Sequence, residues 1–65
     1  MSDSDLAELS TLRAQIEDIV ERVVKVAERY DDTSDSAIAS DLFAAERALL
    51  GARRSLDRAI AHLDR

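Results

Sequence analysis

The feature that most constrains this chain is an unbroken alternation of three- and four-residue steps between apolar residues, and it occurs twice. In the first half it runs through Leu9, Leu12, Ile16, Ile19, Val23, Val26 and Tyr30. In the second half it runs through Ile38, Leu42, Ala45, Leu49, Ala52, Leu56, Ala59 and Leu63. Such spacing places the apolar residues on one face of an α-helix that packs against another helix. The sequence therefore predicts two amphipathic helices.

The polar run from Asp31 to Ser36 separates the two patterns with residues whose side chains favour turns and helix caps. We predict helix 1 from about residue 6 to 30, with Asp5 and Glu8 spaced as a capping box, a loop over 31–36, and helix 2 from about 37 to 64. A turn centred on Ser34 brings the two apolar faces into register. Residues 1–65 are thus expected to form a single all-α domain, an antiparallel two-helix hairpin.

The apolar surface is wider than one helix pair needs. With the seven positions of the repeat labelled a to g, Leu9 at a in helix 1 and Leu42 at a in helix 2, the pattern above occupies a and d, while further apolar residues lie at e and b. A chain of this size usually needs disulfides, a bound metal or oligomerisation to fold stably, and because it has no cysteine we expect oligomerisation. We predict a homodimer of hairpins forming a four-helix bundle, although a helix of another protein would also cover the surface. The predicted interaction surface comprises Val20, Val24, Ala39, Phe43, Leu50 and Ile60.

Composition limits the other possibilities. There is no Cys and a single histidine, His62, so we expect no metal site and no cofactor. The net charge of −5 argues against binding to nucleic acid or to anionic membranes. The longest apolar runs are too short to cross a bilayer, and the N-terminal residues do not resemble a secretory signal, so a cytoplasmic location is expected.

Charge is distributed unevenly along the chain. Residues 1–36 hold ten acids and four bases, whereas residues 37–65 hold four acids and five bases. The acids Glu17, Asp18 and Glu21 are interpreted as a solvated face. The bases are expected to pair with acids: Arg47, Arg53, Arg54 and Arg58. His62 suits the dipole at the end of helix 2, and Gly51 is either a contact point or merely tolerated.

One short run bears on catalysis. Leu12, Arg13, Ile16 and Ile19 are spaced so that they resemble the first helix of the all-helical chorismate mutases, over fewer than ten residues. Those enzymes use several inward basic groups and a third helix, and only Arg13 could correspond to one of these groups. We therefore expect no catalytic residues and no enzyme. The predicted function is a self-associating protein-interaction, scaffold or regulatory module with an unidentified protein partner, and the alternative is an acidic, antitoxin-like inhibitor of a basic protein.

Overall fold

The protein is an antiparallel pair of α-helices joined by a five-residue loop, seen in a computed structural model that describes residues 2–64. Helix α1 spans Ser2–Tyr30 and helix α2 spans Ser36–Leu63, and no strand occurs in the described range. The two helices pack against each other along their length. The predicted all-α hairpin is confirmed. Of the predicted domain, Met1 and Arg65 lie outside the described residues.

Helix α1 begins at Ser2 rather than near residue 6, so Asp5 lies within the helix and does not cap it. The acids Asp3 and Asp5 fall in the first turn, where their negative charge stabilises the positive end of the helix dipole. Arg29 lies in the last turn and complements the opposite end. The electrostatics of both ends thus favour the longer helix.

The loop reverses the chain through a left-handed residue and a threonine bridge. Asp32 has φ 59°, a conformation that is common just after a helix and usually taken by glycine. The Thr33 hydroxyl donates to the Tyr30 carbonyl oxygen at 2.6 Å and accepts from the Asp35 amide at 3.1 Å. Asp35 occupies the cap position of α2, but its side chain makes no capping hydrogen bond. Thr33 therefore links the end of α1 to the start of α2.

Only two of the described residues are fully buried, and both are alanines near the loop. Ala27 is 0% exposed and Ala39 is 2% exposed. Because a methyl group occupies so little space, the two helix backbones can approach closely at this level. The most complete burial in the hairpin is therefore at its loop end.

Towards the open end the helices are joined by an ion pair. Arg13 Nη1 donates to Asp57 Oδ1 at 3.0 Å, with the two side chains 38% and 44% exposed. An ion pair in such a wet setting contributes at most about 1 kcal/mol. The fold is long and thin, 52 × 14 × 10 Å between Cα atoms, with a radius of gyration of 15.1 Å. A compact chain of this length would have about 11 Å.

Candidate interaction surface

The two helices hold each other mainly through positions a and e of the repeat and through the half-buried b positions, which are Val24, Phe43, Leu50 and Asp57. The e positions are the best covered, since Ala27 and Ala39 are buried there and the rest are half-buried. The Arg13–Asp57 pair also joins an e position to a b position. The contact between α1 and α2 is therefore rotated away from positions a and d, which the apolar repeat alone predicts as the centre of the contact.

The rotation leaves the d positions on one side of the hairpin. In antiparallel helices that meet through a, e and b, the d positions of both helices point to the same side. We call this side the d face, formed by Leu12, Ile19, Val26, Ile38, Ala45, Ala52 and Ala59. It includes three of the four exposed large apolar residues of the described chain, with Leu12 at 41%, Ile19 at 42% and Ile38 at 44%.

An open groove lies on this side between the two helices. It has a volume of about 390 Å³ and is lined by Ile19, Arg22, Val23, Val26 and Leu42. Four of these five side chains are aliphatic. The exposed Arg22 guanidinium stands 3.6 Å from Asp18 on the same helix, so its charge is partly balanced. The groove can form apolar contacts with a complementary side chain and presents one cation at its rim.

The six residues of the predicted interaction surface lie elsewhere, at the e and b positions. Ala39 is buried and the other five are half-buried: Val20, Val24, Phe43, Leu50 and Ile60. Positions e and b are the ones through which the hairpin closes on itself. Contact of these residues with a second chain stays a prediction, while the d face is the more exposed apolar surface.

The charged side chains form few specific contacts. Glu17, Asp18 and Glu21 are exposed, as are Arg47, Arg54 and Arg58, whereas Arg53 is half-buried. Arg58 donates to the Ser55 hydroxyl at 2.9 Å. Arg13, the residue singled out by the short resemblance, is held in its ion pair with Asp57. Within residues 2–64 no three His, Asp or Glu side chains are placed to share a metal ion.

The class defined by this fold is a two-helix, all-α hairpin with an exposed aliphatic face. Comparisons with protein-family models, curated proteins and solved structures give no match. Neither described helix has an apolar stretch of the length needed to traverse a membrane. The geometry of the helices is thus the ground on which a function can be argued.

Proposed function

We propose that this protein is a small, non-catalytic interaction module that self-associates through its helices, as a homodimeric four-helix bundle, and scaffolds or regulates a protein partner. The observation that carries the proposal is the d face. Exposure of aliphatic side chains to water is unfavourable, and three of them on this face are more than 40% exposed. Covering them stabilises an assembly by about 25 cal/mol per Å² of apolar surface.

The surface area of the single chain supports this proposal. Its accessible surface is 4763 Å² for a mass of 7.2 kDa, whereas a compact monomer of that mass exposes about 4100 Å². The excess arises because a pair of helices has no third or fourth helix to cover its remaining apolar sides. A four-helix bundle covers those sides with side chains of the same kind.

Sedimentation velocity and circular dichroism over a dilution series test self-association. We expect a species of twice the 7.2 kDa chain mass at micromolar concentration, and a loss of helicity as dilution dissociates it. A chain that is monomeric and fully helical throughout the series would contradict the proposal, because the hairpin would then be stable without a partner.

A second candidate, an acidic inhibitor of a basic protein, is favoured by the loop. Asp31, Asp32 and Asp35 are all exposed, and neither of the ion pairs among the described residues involves them. Three carboxylates within five residues create a strongly negative tip that attracts cationic surfaces.

Titrating a basic test protein such as lysozyme against the chain, at rising salt, tests this candidate. The matched variant replaces the three loop aspartates with asparagine, which keeps their shape and turn preference. We expect binding that weakens steeply with salt and is lost in the variant. Equal binding by both chains would exclude the loop as the recognition element.

A further inference from the structure

We infer that the d face is the site at which a second copy of this chain docks, with α1 of each subunit lying against α2 of the other and both loops at the same end. This inference deepens the proposed self-association and rests on it. It assigns the interface to a face other than the e and b positions. It also fixes the arrangement of the subunits, a twofold axis parallel to the helices.

The size of the face suits a second copy. A hairpin 52 Å long and 14 Å wide offers a footprint of roughly 700 Å², close to the ~800 Å² per partner of a standard stable interface. A single foreign helix would cover only half of that width. A second hairpin matches both dimensions, since it is the same object.

Side-chain size within the d face is self-complementary. The α1 half carries large residues, Leu12, Ile19 and Val26, whereas three of the four d positions of α2 are alanine. Placing α1 on the partner's α2 sets each of these three large residues against an alanine. Placing α1 on the partner's α1 sets large against large in one helix pair and leaves alanine against alanine in the other.

The register of the hairpin places each large residue of α1 beside an alanine of the partner's α2. Arg13 meets Asp57, so residues whose numbers sum to about 70 lie at one level. A rotation about an axis parallel to the helices leaves these levels unchanged. Leu12, Ile19 and Val26 therefore lie level with residues 58, 51 and 44 of the partner subunit, each of which is next to an alanine of the partner's d face. Each large side chain is thus set against a small one.

Charge favours the same arrangement. Helix α1 holds seven acids and four bases, and α2 holds three acids and four bases. Pairing α1 with the partner's α2 brings a negative helix beside a mildly positive one, whereas pairing α1 with the partner's α1 brings two negative helices together. At the g positions flanking the d face, Arg29 also comes level with the partner's Asp41. Opposite charges at such flanking positions specify partner and orientation.

The distance between the two loops tests the arrangement directly. The chain has no cysteine, so Ser34→Cys, at an exposed loop position, gives one nitroxide label per subunit. Pulsed electron paramagnetic resonance should give an interlabel distance below about 30 Å, because helices in a bundle lie about 10 Å apart. Loops at opposite ends would be separated by roughly the 52 Å length of the hairpin, which would overturn the inference.

The result separates this inference from the proposed function. A dimer by sedimentation with a long interlabel distance leaves self-association intact and removes the arrangement proposed here. A monomer by sedimentation, with no intermolecular distance, removes both.

A matched pair of lysine variants tests the face itself. Ile19→Lys places an ammonium in the centre of the d face, and Ala7→Lys places it at an exposed position f on the side of α1 opposite the d face. We expect Ile19→Lys to raise the dimer dissociation constant at least about 100-fold, because an unpaired charge would be buried. Ala7→Lys should change it less than about threefold. Equal effects of the two variants would overturn the assignment.

A charge exchange tests the pairing of α1 with the partner's α2. Arg29→Glu and Asp41→Arg each bring like charges together in their homodimers, whereas a mixture of the two variants restores opposite charges at both contacts. We expect the mixture to form heterodimers in preference to either homodimer, by about tenfold. Mixing Lys25→Glu, at an exposed c position, with Asp41→Arg is the control and should show no such preference. If the mixture of Arg29→Glu and Asp41→Arg also shows no preference for heterodimers, the pairing of α1 with the partner's α2 is contradicted.

Discussion

The loop end and the open end of the hairpin are held together by different means. At the loop end two alanines, Ala27 and Ala39, are buried and let the backbones approach closely. Towards the open end the ion pair between Arg13 and Asp57 joins the helices, and both side chains remain partly exposed to solvent. Close apolar packing is cooperative and intolerant of added volume, whereas a wet ion pair is weak and replaceable. The hairpin should therefore resist opening at the loop and fray from the other end.

The largest expected effect comes from enlarging the buried alanine. Ala27→Leu adds three carbon atoms where no space is left, and it should lower the free energy of unfolding by about 2 kcal/mol through separation of the helices. Urea denaturation followed by circular dichroism measures the change. Ala14→Leu, at an exposed position of α1, should leave the free energy of unfolding nearly unchanged. Equal effects of the two variants would mean that the loop end is not tightly packed.

The next effect strengthens the half of α2 nearer the open end. Gly51 lies inside the helix, and a methyl group built on it meets only the Arg54 guanidinium at 3.8 Å, an ordinary contact. Gly51→Ala should raise the free energy of unfolding by about 1 kcal/mol, because alanine has the higher helix propensity. Position c points away from both the partner helix and the d face, so the dimer dissociation constant should stay the same. Weaker association in this variant would make Gly51 a contact point.

A smaller gain is expected at the loop. Asp32 takes a left-handed conformation with φ 59°, which glycine adopts without steric penalty. Asp32→Gly should therefore raise the free energy of unfolding by about 0.5 kcal/mol, the relief of strain being partly offset by the flexibility of glycine in the unfolded chain. Thermal unfolding measures it. Asp31→Gly provides the control and should not stabilise the protein.

The smallest effect concerns the ion pair. A double-mutant cycle with Arg13→Gln and Asp57→Asn should give a coupling free energy of only about 0.3 kcal/mol, and added salt should reduce it further. A coupling above about 2 kcal/mol would show that the open end is as firmly held as the loop end.

Much of the fold could be predicted from the sequence, because helix spacing and turn chemistry are local. The apolar repeats predict both helices, and the polar run from Asp31 to Ser36 predicts the reversal of the chain between them. The predicted start of α1, near residue 6, is too late, because it rests on the capping pattern of Asp5 and Glu8. That pattern does not stop a helix from extending further when Asp3 and Asp5 favour its first turn.

The face of contact was harder to predict. The apolar stripe covers positions a, d, e and b, and a pair of helices can bury only part of it. Hydrophobicity alone favours a and d, because the largest side chains are there. The helices instead meet where Ala27 and Ala39 permit the closest approach and where Arg13 finds Asp57. Small residues near the loop in both helices, and opposite charges at e and b, are the signals available in the sequence.

The threonine bridge has a consequence for spectroscopy. Tyr30 is the only tyrosine of a chain without tryptophan, and its carbonyl oxygen accepts the bond from Thr33 at the reversal of the chain. Its fluorescence is therefore a local gauge of the reversal, while ellipticity averages over all the helical turns. On gentle heating, ellipticity should decline before tyrosine emission changes, because unfolding advances from the open end of the hairpin towards the loop.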